Sequence, residues 1–172
     1  MRDAVRVATF QDLHLVLLVW GRLAAARSGG KTVTLKLNAA EVTEYLEEVF
    51  PQVDGMFGID RLDEDLLVMR LFNDERHLRP GGTVSGPAMF SLADVAAYVA
   101  TLARIGKQAL TVTTHCSIDF MRKPAAGVDL LAEARVLKLG RTLSVTDVLL
   151  FSEGQAKPLA HASLTYSIPP GR

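Results

Sequence analysis

The chain has 172 residues, 49% of them hydrophobic, with 19 basic and 19 acidic side chains and a mean hydropathy of +0.21. That length and composition fit one compact domain with a sizeable core and an extra segment, and balanced charge without a Lys/Arg stripe argues against a nucleic-acid binder. Cys116 is the only cysteine, which excludes an intrachain disulfide or a multi-cysteine metal site, and the four histidines, His14, His77, His115 and His161, lack ligand spacing; a reducing, cytoplasmic setting is the simplest expectation.

Near the N-terminus, LHLVLLVWGRLAAA follows Arg2 and Arg6, so a short apolar run precedes small residues in the order of a signal peptide. His14 interrupts the run, Asp3 and Asp12 dilute its basic flank, and it falls short of the ~20 residues that cross a bilayer. A loosely anchored helix is the preferred alternative. RSGGKTVTLKLN, with paired glycines, reads as a linker, so residues 1–37 are expected to be an extension and residues 38–172 the domain.

Asn38 is a plausible N-cap for AAEVTEYLEEVFP, in which Val42, Tyr45, Leu46 and Val49 recur at helical spacing and Pro51 ends the run. GMFGIDRLDEDLLVMRLF predicts a hairpin, Met56–Ile59 and Leu66–Phe72 flanking an acidic turn at Leu62–Asp65. HLRPGGTV reads as a loop. After it, SGPAMFSLADVAAYVATLARIG is apolar or small on almost every side, and Asp94 is the only charge between Gly86 and Ala103. Such a helix is buried all round or lies in a membrane. Its length, its Ala-rich composition and the central Asp94 argue against a membrane. A sheet covers only one side, so the alanines at 93, 96, 97, 100 and 103 suggest strands curling around the helix and a second subunit. Gly86 and Pro87 mark its start, leaving the amides on either side of Pro87 free for an anion or a polarised carbonyl.

Beyond the helix, LTVTTHCSIDFMR puts Leu110, Val112, Cys116, Ile118 and Phe120 on one face and Thr111, Thr113, His115, Ser117 and Asp119 on the other. Val128–Leu139, Thr142–Phe151 and Leu159–Ile168 follow as strands, read as an antiparallel meander. The order predicts an α+β domain, one principal antiparallel sheet against a long helix over about residues 86–105.

Asp94 has two readings. It is a buried carboxylate satisfied by Thr or Ser hydroxyls, or a catalytic base or nucleophile two turns from a helix N-terminus that can stabilise an oxyanion. Here GTVSGPAMFSLAD resembles the signature of hotdog-fold acyl-CoA thioesterases, especially the phenylacetate-pathway type: Gly, His-Gly-Gly, an apolar stretch, then Leu-Ala-Asp. The resemblance runs from about Ala39 to Pro170 and includes VTTHCSIDFMRKP, DLLAEARVLKLGRTLSV and LAHASLTYSIPP.

The resemblance implies a hotdog fold, a sheet wrapped around the long helix, assembled as a homodimer or dimer of dimers with continuous sheets and an active site at the subunit interface. It implies Asp94 as nucleophile or general base, the Gly86 N–H as the group polarising the thioester carbonyl, and Thr113 where some members hold the water. The substrate would be an acyl-CoA, with coenzyme A as part of the substrate and no metal or other cofactor. Ser85 stands for the motif His and Pro87 for its second Gly. Ser85 can cap the helix or bond the thioester but cannot take a proton as His would, and Pro87 removes one donor while leaving that of Gly86.

Arg79 stands where relatives often have Asn; it orients a substrate oxygen or simply fixes the loop. Arg122, Lys123 and Arg141 sit at strand ends where relatives meet coenzyme A phosphates, or are merely solvated. Met89, Phe90 and Tyr98 bear on the acyl pocket. His115 and His161 have no carboxylate close in sequence and are read as structural, Cys116 as a small core residue. The alternative function is a non-catalytic acyl-CoA-binding or regulatory protein on the same fold. A hydratase is weaker, since Ser85 occupies the place its His would need.

Overall fold

The structure, a computed structural model, describes residues 34–170; the expectations for residues 1–33 lie outside that span. The compact unit begins at Thr34, a few residues before the predicted boundary, because Leu35 and Leu37 pack on the core and the Lys36 and Leu37 amides both donate to Ala103 O, at 2.8 and 3.1 Å. Helix α1 (Ala39–Val49) starts at Asn38 as predicted. Asn38 Oδ1 accepts from the Glu41 amide at 3.0 Å and Glu41 Oε2 from the Asn38 amide at 2.8 Å, a reciprocal capping box. Its Val42, Tyr45 and Leu46 are buried.

The predicted hairpin is β1 (Phe57–Leu62) and β2 (Leu67–Leu71), with the acidic turn closed by Asp63 Oδ1, which accepts from the amides of Asp65 and Leu66 at 2.9 Å each. The stretch read as a loop contains a minimal hairpin of its own, β3 (Leu78–Arg79) with β4 (Thr83–Val84). Gly82 N–H donates to Arg79 O at 3.0 Å, and Gly81 at φ +97° takes the conformation that Pro80 before it and the tight reversal require.

Helix α2 (Gly86–Ile105) is the long helix, closed by Gly106 at φ +91°. Four strands follow: β5 (Val112–Phe120), β6 (Leu130–Leu139), β7 (Leu143–Ser152) and β8 (Ala160–Ser167). All pairings in the six-stranded sheet are antiparallel, in the order β1-β2-β6-β7-β8-β5. The meander expectation holds for β6, β7 and β8 only. β5 pairs with β8 and ends the sheet, because residues 121–129 carry the chain away from it before β6 starts.

Alternation puts Leu67, Met69 and Leu71, then Leu130, Ala132 and Ala134, then Val148 and Leu150, then Ala160, Ala162 and Leu164 into the core against α2. The helix packs on β2, β5, β6, β7 and β8, so the sheet curls around it in the expected hotdog arrangement. By length and composition α2 could cross a membrane, with mean hydropathy 1.4, but 83% of its apolar window is buried inside this one fold.

Of the two covers that the helix composition suggested, the curling strands are enough. The alanines at 93, 96, 97, 100 and 103 are all fully buried within one chain. They leave nothing for a second subunit to cover. The open side of α2 is its first half, where Pro87 and Phe90 are exposed and Gly86, Ser91 and Asp94 are half-buried, a stripe at helical spacing.

The helix also carries a second charge near its end. Arg104 is 4% exposed and donates to Ala100 O at 2.8 Å and Glu64 O at 2.7 Å, tying the β1–β2 turn to α2. Replacing Arg104 by Ala leaves an orphaned carbonyl and a void, and is expected to lower stability by about 2–4 kcal/mol in a urea titration.

Candidate active site

The helix starts at Gly86, as predicted. Ser85, in extended backbone, is the N-cap, Gly86 the first helical residue and Pro87 the second. Ser85 Oγ accepts from Ala88 N–H at 3.4 Å, and the Ser85 amide donates to His77 O at 2.8 Å. Of the two amides flanking Pro87, that of Ala88 is therefore engaged by the cap, and that of Gly86 has no acceptor among the described residues. The Phe120 ring lies beside Gly86; a Cβ there would meet it at 3.5 Å, an ordinary contact, so room within one chain does not require glycine.

Two turns on, Asp94 is half-buried and its Oδ1 is held by two hydroxyls. Thr113 Oγ1 donates to it at 2.7 Å, and Tyr166 OH lies 2.7 Å from Oδ1 and 2.7 Å from the Asp94 backbone carbonyl. Oδ2 receives no hydrogen bond from the described residues. Burial first, and then the Asp94 charge, push the Tyr166 hydroxyl far above the usual phenol range, so it stays protonated and donates. Burial, followed by the same charge, also pushes the Cys116 thiol up. Cys116 packs half-buried against the core, as expected.

Thr113 reaches Asp94 through a β-bulge. Along β5 the pairing with β8 runs Thr113↔Tyr166 and then His115↔Thr165, so Thr114 is the extra residue. Cys116 and Ile118, beyond the bulge, pack on the core, whereas before it the odd residues turn inward: Thr111 is buried, Thr113 meets the helix, and Leu110 and Val112 are exposed. Strict alternation had assigned Leu110 and Val112 to the apolar face and Thr111 and Thr113 to the opposite one.

Tyr166 was not anticipated. Its signal was its place at the end of the inward series Ala160, Ala162, Leu164, Tyr166, the one member with a polar atom. A hydroxyl buried on a core face needs a partner.

The single chain does not bring Gly86 and Asp94 together. Eight residues of helix separate their Cα atoms by ~12 Å, beyond the reach of one carbonyl group. Both do face the same open surface, which continues across β5. That strand is a sheet edge along its nine residues, and Phe90, Val112, Phe120 and Met121 are exposed around it.

The other candidates are spread out. Tyr98 is buried, its ring stacked on Tyr166 with centroids 5.9 Å apart and its hydroxyl donating to Ala109 O at 3.0 Å, so it lies beneath the site with its polar atom committed; burial pushes it up to about 12. Met89 is buried and Phe90 exposed. Arg79 is exposed in the β3–β4 hairpin. Arg122 and Lys123 are exposed just past Phe120, Arg122 donating to Pro158 O at 2.8 Å, while Arg141 is exposed in the β6–β7 turn, beside the other end of β5 where Val112 and Leu143 both pair with Ser167. The two groups of cations lie about 27 Å apart along the strand.

His161 does have a carboxylate partner, Asp147 Oδ1 at 2.5 Å across β7–β8, but on the sheet face turned away from α2. His77 is buried; its Nδ1 accepts from the Asp74 amide at 3.1 Å and its Nε2 has no partner among the described residues.

The family model of the thioesterase superfamily matches residues 81–159, from the β3–β4 turn to the start of β8. A crystal structure from a Silicibacter species, described as a candidate thioesterase, is 58% identical, with 81% of this chain and 97% of that one covered and a TM-score of 0.77. A mutant of the phenylacetic acid degradation protein PaaI from Thermus thermophilus is 26% identical over 69% of this chain and 99% of that one, TM-score 0.60. A Streptococcus mutans protein bound to acetyl-CoA shares the fold at 22% identity, over 67% of this chain and 90% of that one, TM-score 0.60. Comparison with curated proteins finds no match.

Proposed function

The chain belongs to the thioesterase superfamily and is a thioester hydrolase, and from that premise we propose that it hydrolyses an acyl-CoA to the free acid and coenzyme A with Asp94 as the reacting carboxylate. The observation that carries this is the state of Asp94: Oδ1 tied down by two hydroxyls, Oδ2 left open on the exposed stripe of α2. As nucleophile, Oδ2 attacks the thioester carbon and the oxyanion forms against the Gly86 N–H. The intermediate then collapses to expel coenzyme A thiolate, and water cleaves the acyl–aspartyl anhydride. As general base, Oδ2 takes a proton from the attacking water and the same thiolate leaves. Neither route calls for a metal or a resident cofactor, and the lone Cys116 keeps the cytoplasmic setting part of this proposal.

Thr113 anchors the carboxylate in this scheme; any hold on the water is a second task for the same hydroxyl. Ser85 and Pro87 shape the helix start that presents the Gly86 amide.

A second copy of the chain supplies the missing proximity. Pairing β5 antiparallel with its copy about a two-fold axis would set the Phe120 end of one strand, with its Gly86, against the Thr113 end of the other, with its Asp94. It would also cover the exposed edge and its apolar side chains, and bring Arg122 and Lys123 of one copy toward Arg141 of the other as partners for coenzyme A phosphates. Arg79 would flank the same opening. That a protein of this fold binds acetyl-CoA supports the substrate class.

The test is a panel of coenzyme A esters differing in length and aromaticity, with released thiol followed by absorbance and mass measured in solution. Turnover by a dimer, or by a dimer of dimers, is the expected result. A monomer with full turnover would overturn the composite site, and binding of the esters without hydrolysis would overturn Asp94 chemistry.

A further inference from the structure

We propose that Tyr166 is a positioning residue for Asp94, its buried hydroxyl clamping Oδ1 to the backbone carbonyl of the same residue and thereby selecting Oδ2 as the oxygen that reacts. The inference rests on the reading of Asp94 just given and deepens it. The hydroxyl is 2.7 Å from both acceptors, so its one proton is shared between the side chain and the main chain of a single residue and restricts both of its side-chain torsions. Thr113, cross-strand partner of Tyr166, donates to Oδ1 from the other strand. With two donors on Oδ1, the lone pairs that remain uncommitted are on Oδ2, which faces the open stripe.

A purely structural Tyr would need one acceptor for its buried hydroxyl, and the carbonyl alone would serve. The second contact, to the carboxylate, holds the side chain that both chemical routes use. The position is also rigid: the ring stacks on Tyr98 and is 2% exposed, so the hydroxyl cannot swing away. The bulge at Thr114 serves the same end, since it turns Thr113 to the helix at the register position opposite Tyr166.

The experiment is Tyr166→Phe, which keeps the ring and removes only the hydroxyl. The expected result is a roughly 10- to 100-fold loss of kcat with KM within about twofold, because the reacting carboxylate loses its orientation while the substrate contacts stay. Wild-type kcat overturns the proposal, as does a loss that falls on KM alone. Replacing Tyr166 by 3-fluorotyrosine, which changes the acidity of the hydroxyl and little else, covers the case in which the Phe variant folds poorly; a kcat identical to wild type counts against the clamp. A crystal structure of Tyr166→Phe judges the clamp without any substrate: Asp94 is expected to leave its rotamer or to occupy two, and an unchanged carboxylate overturns the inference. Full activity of an Asp94→Asn variant would instead remove the reading of Asp94 itself.

Discussion

Asp94→Asn is expected to lower kcat for acyl-CoA hydrolysis by roughly 10²–10⁴-fold, the range over which a positioned acid–base group contributes. Asn matches Asp in shape, and its carbonyl oxygen can still accept from Thr113 and Tyr166, so the two donors that hold Oδ1 keep their partner. The amide nitrogen then takes the place of Oδ2 on the open side, where it can neither attack a thioester nor accept a proton. Neither Gly86 nor the strand-end cations change, so KM should move little and the oligomer should elute as before. Thiol release under saturating substrate, with size-exclusion chromatography alongside, reads both. Turnover within about twofold of wild type would sink the assignment.

The second large effect separates a site built within one chain from one built between two. Gly86→Pro removes the proposed oxyanion donor by deleting the amide hydrogen itself. The chain before it suits the change: the first turn of a helix accepts proline, and Ser85, at φ −78° and ψ 158°, already has the extended conformation that a residue before proline needs, and circular dichroism of the variant checks that the helix start before Pro87 is kept. Loss of one oxyanion donor is expected to cost about 10²–10³-fold in kcat. Mixing unfolded and refolded Gly86→Pro with Asp94→Asn, each nearly inactive, then tests the arrangement. If Gly86 of one copy serves Asp94 of the other, each mixed dimer carries one intact site and one doubly defective site. Random pairing makes half the dimers mixed, so about a quarter of wild-type activity should return. No recovery, with mixed dimers demonstrated by mass, would place both groups in the same chain's site and overturn the two-fold scheme.

The elements close in sequence were legible because local rules decide them. Asn38 caps its helix as its residue type predicts, Asp63 closes the acidic turn, and α2 runs from the Ser85-Gly86-Pro87 start to Gly106. The inward residues of β2, β6, β7 and β8 follow the period of two. Asp94 stood out because a charge in an otherwise apolar helix must be accounted for, and the text around it carried the family resemblance.

What failed or went unseen depends on register and on distance along the chain. One unpaired residue at Thr114 reverses the faces of the first part of β5, and alternation cannot announce an insertion that costs only a local break in the ladder. The alanines of α2 suggested both strands curling around the helix and a second subunit; one sheet curls far enough to cover them alone, and how far a sheet curls is not written in the residue pattern. Composition, caps and periodicity thus determined the α+β domain, the long buried helix and the isolated carboxylate within it. The tertiary structure decided that Tyr166, 72 positions away, closes on that carboxylate. Local propensity acts over a few residues, whereas cross-strand register and helix-to-sheet packing join residues that the sequence keeps far apart.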